Sequence, residues 1–534
     1  MKATIKKLIS DFWLYALVII LIVLPWFFKP GYLFFTDNVW GPNIKLDWTS
    51  SWFLFNLLVK ALSFIFSVAF LEKLFITGTL VLILLGGRML VKTILEYYSE
   101  PKPGLIFVLS LFALFNPFVY DRALYGQFGA LIAYGCLLFS ISYLFQIWQA
   151  HNFKELYKVA IFSSIALMMS VHFIFLLLPF YLLFFVSICR VKKFWTVFPL
   201  ALLIVLLLNV NWLVAIFTNS SPLTNFVEQG ITTQDLQAFA TAGHNGTETF
   251  TNVLLMSGFW GKDQFRYLNL TSVPGWQRSF VLLTPIILYG FYLSFKKNKT
   301  LTFSLLAIFI LAVLLAVGIK SGLTSGLALF LYDHLPLYKG LREPQKWVAV
   351  IIPIYLFFLT IGASRLSKLK LFSHNQAISG FVLAVIIIMG APFLLWGFNR
   401  QVKPTSYPAD WAEVNNLITD ANCSSKTLFL PWHMYLSFTW VGKIIANPAS
   451  AYFTCPVISG TNMEWGGIND NSQSSEGAII NTWLQSKGQT NIPTVRYIIL
   501  AKEVDYQSYA WLNNLSYVKL LTETPTLFVY EIKS

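Results

Sequence analysis

The chain has 534 residues, of which 56% are hydrophobic and 17% aromatic, and only 12% are charged. A soluble domain carries about twice that share of charge, and runs such as Val197–Asn209 are too long and too uncharged for one water-soluble core, which excludes a large soluble protein. The net charge of +14 sits in short basic clusters between apolar segments, the pattern that orients membrane helices, so it is not the footprint of a nucleic-acid partner.

In chain order, Lys2, Lys6 and Lys7 precede an apolar stretch with no small-residue cleavage site after it, which predicts a retained first helix. Apolar segments predict helices at 9–28, 74–91, 104–119, 128–148, 156–171, 173–190, 195–217, 279–295, 300–318, 347–364 and 376–397, about eleven crossings. With the N-terminus cytoplasmic, the inward segments carry Arg88/Lys92/Lys102, Lys154/Lys158, Arg190/Lys192/Lys193, Lys296/Lys297/Lys299 and Arg365/Lys368/Lys370. Parity and the positive-inside rule therefore agree. The stretch 156–190 divides into two short spans that turn near His172. In 51–73, Asn56, Lys60, Ser63 and Ser67 recur at helical spacing, which predicts a helix lying in the outer interface rather than crossing.

The outward segments are then 29–73, 120–127, 218–278, 319–346 and everything after 398. The fold class is a mainly α, polytopic membrane protein over 1–397, followed by an extracytoplasmic α/β domain over 398–534. Strands are expected at Thr427–Leu430, Tyr497–Ala501 and Thr526–Tyr530, and helices near 409–419 and 506–514. Cys136 and Cys189 fall in predicted membrane helices. Cys423 and Cys455 share the last domain, where an oxidising side permits a disulfide. No CxxC or His/Cys cluster has metal-binding spacing.

Acids are rare, so those at the outer surface stand out. Asp37 sits among aromatics in Gly31–Pro42, where reduced hydration would raise its pKa and suit a general base; the plain alternative is a turn cap. Asp121 and Arg122 adjoin in the loop that ends at Gln127, either as a working pair or as a solvated one. Arg342 and Lys346 precede a helix, and either hold a phosphate or anchor that helix. The long loop holds Glu228, Asp235, His244, Glu248 and Asp263 in no recognisable spacing. In the last domain His433 is a candidate ligand contact, or a packed histidine. Trp432, Trp440 and Trp465 offer faces for sugar rings or for the membrane interface.

These segments together resemble the C-type glycosyltransferase superfamily of multi-spanning membrane enzymes, closest to YfhO-like and mycobacterial-type arabinofuranosyltransferase proteins. The likeness is carried by Thr36-Asp37-Asn38 with the interfacial helix after it, and by Asn116-Pro117-Phe118 through Gly126-Gln127. The stretches Arg342 to Lys346, Leu430-Pro431-Trp432-His433 and Val495 to Leu500 add to it. The resemblance implies an acid of the first outward loop as catalytic, by position Asp37, with Asp121 as the other catalytic candidate. It implies a polyprenyl-phosphate-linked sugar as donor and a glycan or lipid as acceptor. Arg122, Gln127, Arg342, Lys346, Trp432 and His433 become substrate-binding candidates. Many members carry a second acid where this chain has Asn38, so no cofactor is implied; a divalent metal would need Asp47 or Asp121. Two other classes stay open: a lipid-linked glycan transporter, and a non-catalytic glycan-binding or assembly protein.

Overall fold

The computed structural model describes residues 2–218, 233–264, 266–369, 375–419, 423, 425–462, 464–465, 468–469, 475–490 and 495–533. Glu228 and Lys370, with the side chains of Lys2, Lys6, Lys7, Asp263 and Trp465, lie outside the described residues. The chain forms two compact units. One is Met1–Pro25, Asp47–Leu54 and Phe75–Gln401; the other is Trp26–Leu46, Phe55–Leu74 and Val402–Ser534.

The chain is mostly helical. Its first helices are α1 (Lys2–Phe27), α2 (Phe53–Leu62), α3 (Val68–Tyr98), α4 (Pro103–Leu114), α5 (Pro117–Tyr125) and α6 (Phe128–Ala150). Then follow α7 (Glu155–Met169), α8 (Phe173–Ile188), α9 (Lys192–Phe217), α10 (Arg278–Lys297), α11 (Lys299–Val317), α12 (Val348–Leu366) and α13 (Gln376–Ile388). Among the described residues six helices are long and apolar enough to cross a membrane, and eight if each of two bent pairs is one crossing. Leu207 is 61% and Phe217 84% exposed on α9, which suits a lipid-facing helix. By contrast, α12 is buried over nearly its whole length and forms the axis of its unit. It meets α10 so closely that a Cβ on Gly290 would strike the Phe358 carbonyl, and one on Gly362 the Ile286 carbonyl. Small residues permit that backbone approach.

Three boundaries differ from the sequence expectation, each for a local reason. The stretch 104–119 does not continue as one helix into a loop, because Asn116-Pro117 breaks it and starts α5. The Asn116 side chain accepts from the Val119 N–H at 3.0 Å and donates to the Phe112 and Ala113 carbonyls, serving both helix ends. The two segments bend by 50°, so Asp121 and Arg122 stand on a helix rather than in a loop. The stretch 51–73 is not one helix either: Ser63 donates back to the Lys60 carbonyl where α2 ends, and Ser67 accepts from Phe70 N–H where α3 begins. At the far end, 376–397 breaks after α13 and turns by 81° into Pro392–Asn399.

In the second unit β5 (Glu464–Trp465) pairs with β6 (Ile468–Asn469), and five other strands form one sheet. Its strands are β1 (Lys426–Leu430), β4 (Val457–Ile458), β7 (Val495–Ala501), β8 (Val518–Glu523) and β9 (Leu527–Ile532). β1 runs parallel to β4 and β7, while β9 is antiparallel to β7 and β8. Alternation along the strands fills both faces. Phe429, Tyr497 and Ile499 pack with Trp411 and Val414 of α14 (Ala409–Ile418). Leu428, Leu430, Ile498 and Leu500 pack with Ile480 and Trp483 of α15 (Ser475–Gln485). A hairpin of β2 (Tyr435–Phe438) and β3 (Lys443–Ala446), which the sequence reading lacked, extends the first of these cores. Cys423 and Cys455 are joined as a disulfide.

Candidate functional site

The segment 26–46 belongs to the second unit because its residues complete that unit's core. Phe34 is 1% exposed and packs with Trp411, Phe438 and Trp440. Tyr32 N–H donates to Thr405 O at 2.8 Å and Thr405 N–H returns the bond at 2.9 Å. Farther on, Ala446 N–H donates to Thr36 O at 2.8 Å, and Asn43 donates to Phe453 O at 2.7 Å. Gly41 lies against the Ala451 carbonyl where a Cβ would collide.

Held by this frame, Asp37 is exposed, and its Oδ1 accepts a hydrogen bond from the Tyr435 hydroxyl at 2.8 Å. The dehydrated setting expected from the flanking aromatics is therefore not what Asp37 has: those rings turn into the core and leave the carboxylate outside. Asn38, in the place of a second acid, accepts from the Trp40 indole at 3.0 Å. Asp47 is tied to Thr49 through bonds of 2.9 and 2.7 Å, an ordinary local turn.

A buried acid that the sequence reading passed over supports this loop. Glu72, in the second turn of α3, is 0% exposed and accepts from the Leu33 N–H at 2.8 Å. Lys73 and Lys443 both lie within its electrostatic reach. Burial pulls the Lys443 ammonium down to about 8, an effect Glu72 partly offsets. An acid at the mouth of an apolar helix is costly unless it has work to do, and that was the available signal.

His433 lies between two carboxylates. Its Nδ1 is 2.8 Å from Glu464 Oε2 and its Nε2 is 3.2 Å from Asp505 Oδ1. The hydrogen bond to Asp505 raises its pKa more than burial lowers it, and Glu464 adds to the rise. Trp432 is not an open sugar platform: it is 6% exposed, packs into the sheet core, and donates its indole N–H to Asn481 at 2.7 Å.

In the first unit Arg122, Gln127 and Lys346 join one network with Glu343 and Gln345. Arg122 is 0% exposed and donates to Glu343 Oε2 at 3.0 Å, to Gln345 Oε1 at 2.7 Å and to Gln127 Oε1. Its guanidinium lies over the Phe118 and Phe259 rings at 4.9 and 5.3 Å. The substrate-binding candidates Arg122 and Gln127 are thus bonded to one another, Arg122 fully buried and Gln127 partly so. Lys346 pairs with Glu343 at 3.5 Å, and Arg342 lies over the Phe239 ring at 4.7 Å. Burial alone would raise the Glu343 carboxyl, but Lys346 and Arg122 outweigh it and hold it below the usual carboxylate range. Asp121 is half-buried, with the Lys262 charge near it. Among the described residues no group of three or more His, Cys, Asp or Glu side chains could hold a metal ion.

No protein-family model matches the sequence, and no curated protein matches it. Solved structures do. The arabinofuranosyltransferase AftD from Mycobacteria matches with a TM-score of 0.60 over 98% of this chain, at 12% identity. A mutant of the same enzyme gives 0.59 at 13% identity, again over 98% of this chain. The chain shares the fold of AftD over nearly its whole length. It spans only about 40% of the length of AftD. The archaeal oligosaccharyltransferase AglB from Archaeoglobus fulgidus, solved with an inhibitory peptide and a dolichol-phosphate, gives 0.43 at 12% identity, over 92% of this chain and 65% of its own.

Proposed function

We propose that this chain is a membrane glycosyltransferase that moves a sugar from a polyprenyl-phosphate donor to an extracytoplasmic glycan, lipid or protein acceptor, with inversion. The observation that carries the reading is Asp37: an exposed carboxylate on a loop otherwise pinned at Leu33, Thr36 and Asn43. The AftD likeness supports sugar transfer as the chemistry of such a fold. The topology that goes with it is about eleven crossings with the N-terminus cytoplasmic and the last domain outside; the Cys423–Cys455 disulfide suits that oxidising side.

In the step, Asp37 takes the proton of the acceptor hydroxyl as its oxygen bonds the anomeric carbon. The bond from that carbon to the donor phosphate breaks, and polyprenyl phosphate leaves as a stable anion needing little acid assistance. Tyr435 orients the base. Within the first unit Arg342 and Lys346 are the phosphate-binding candidates, flanking the Glu343–Gln345 segment to which Arg122 donates. Asp121 remains the second acid of the proposal.

The test is transfer by the purified full chain in nanodiscs across a panel of polyprenyl-phosphate sugars, followed as release of polyprenyl phosphate. Asp37→Asn is expected to lower the rate about 10²- to 10⁴-fold with the thermal midpoint unchanged. Full activity in that variant removes Asp37 from the mechanism. The two bent helix pairs favour, on that feature alone, a glycan transporter. That reading wins if lipid-linked sugar crosses the bilayer with its glycosidic bond intact.

A further inference from the structure

The second unit holds a cavity of about 590 Å³, within the size range of small-molecule sites. Asp37 is not among its lining residues, so the base and the cavity are separate features of one unit. Phe27 and Phe28, from the end of α1 and just beyond it, and Phe70 from the start of α3 make an apolar wall. Tyr32, Ser406, Tyr407 and Tyr452 make a wall of rings and hydroxyls.

The apolar wall continues outward as a ridge of rings. Phe28 meets Phe27 at 5.1 Å, Phe27 meets Phe70 at 5.8 Å, and Phe70 meets Phe66 at 5.6 Å. Phe28 is 82% exposed, and beside Phe66 stand Phe64 and Ile65, exposed by 85% and 75%. Side chains like these at the ends of apolar helices belong in hydrocarbon, so a lipid chain is the natural cover for the ridge.

The other wall suits a sugar rather than a phosphate. Tyr32 and Tyr407 pack at 5.5 Å, Tyr407 and Tyr452 at 4.5 Å, giving aromatic faces edged by hydroxyls. Of the two lysines on the wall, Lys73 donates to the Lys29 carbonyl and lies beside the buried Glu72 carboxyl. Among the described residues no arginine lines the cavity, and arginine forks are the usual phosphate grip.

We propose that this cavity is a binding subsite for the sugar headgroup of a membrane-embedded glycolipid, whose chain lies along the ridge Phe28, Phe27, Phe70 and Phe66. Naming that glycolipid as the acceptor rests on the glycosyltransferase reading; the binding does not.

The experiment uses the full chain in phosphatidylcholine nanodiscs with three diazirine-bearing probes of equal chain length: a monoglycosyl diacylglycerol, a diacylglycerol and a phosphatidic acid. Cross-links are mapped by mass spectrometry. The glycosyl probe is expected to label the segments 27–32, 67–73 and 406–407 at least several-fold more than the other two, and Ala69→Trp, which fills the cavity, to remove that excess. Tyr452→Ala, which opens the wall without adding bulk, serves the same purpose if Ala69→Trp does not fold. Equal labelling by all three probes, preference for the phosphatidic acid, or an excess untouched by either variant would each overturn the proposal. Asp37→Asn is expected to label like the parent, so loss of transfer with labelling retained, and the reverse, separate the two readings.

Discussion

The first unit keeps Arg122 out of water entirely, with Glu343, Gln345 and Gln127 as its partners. The second keeps its ionisable cluster half in water: His433 is 20% exposed between Glu464 at 42% and Asp505 at 44%. Both arrangements set one basic side chain among acceptors. A buried charge has strong interactions and a large desolvation cost, so removing one partner leaves the other stranded. A half-exposed cluster loses little when cut, because water replaces what is removed. The first is suited to holding a fold in one state, the second to meeting ligands and protons.

The largest expected effect tests the buried side of this contrast. Arg122→Met should destabilise the first unit by about 3–5 kcal/mol, read from chemical unfolding in detergent. Pairing it with Glu343→Met should recover part of the loss, since the stranded carboxylate is then gone. Equal or greater loss in the double variant would show that the network acts through packing on Phe118 and Phe259 rather than through charge.

An intermediate effect lies in the second unit. Breaking the Cys423–Cys455 link with Cys423→Ser should cost about 2–4 kcal/mol, confined to unfolding of that unit. If the first unit's transition moved as well, the two would not be separable in stability, and the comparison would lose its basis.

The legible part of the molecule was what short-range pattern encodes. β1, β7 and β9, and α14, were expected within a few residues because alternation and caps are local. The apolar segments were recognisable for the same reason, though Asn116-Pro117 hid a helix start inside what read as a loop. The site was legible only as residue types. Asp37 stood out as a scarce acid, but Tyr435, its hydrogen-bond partner, is 398 positions away, and nothing near residue 435 points to residue 37. The same distance hid the joining of 26–46 to the last domain, since Phe34 reads as one more apolar residue in a loop. The setting of Arg122 was hidden for a related reason: next to Asp121 in sequence it read as a working pair or a solvated one, whereas partners come from 343 and 345.

The smallest effect tests the exposed side, and its sign is fixed by linkage. The pKa of His433 is raised in the fold, so its contribution to stability is complete below the unfolded histidine value of about 6.5 and is lost as pH rises through the folded value. The hydrogen bond from His433 lowers the Asp505 pKa, so that contribution is complete above about 3.9 and is lost as pH falls through the folded value. Together they give a window of greatest benefit between those two limits, worth less than about 1 kcal/mol for each exposed pair. His433→Gln should lower the second unit's thermal midpoint inside the window, and by less as pH rises above it. A loss of the same size at pH 9 would mean that His433 acts as a neutral packing group. It would then belong with Arg122 among the residues that hold the fold, and the contrast between the two clusters would shrink to one of degree of burial.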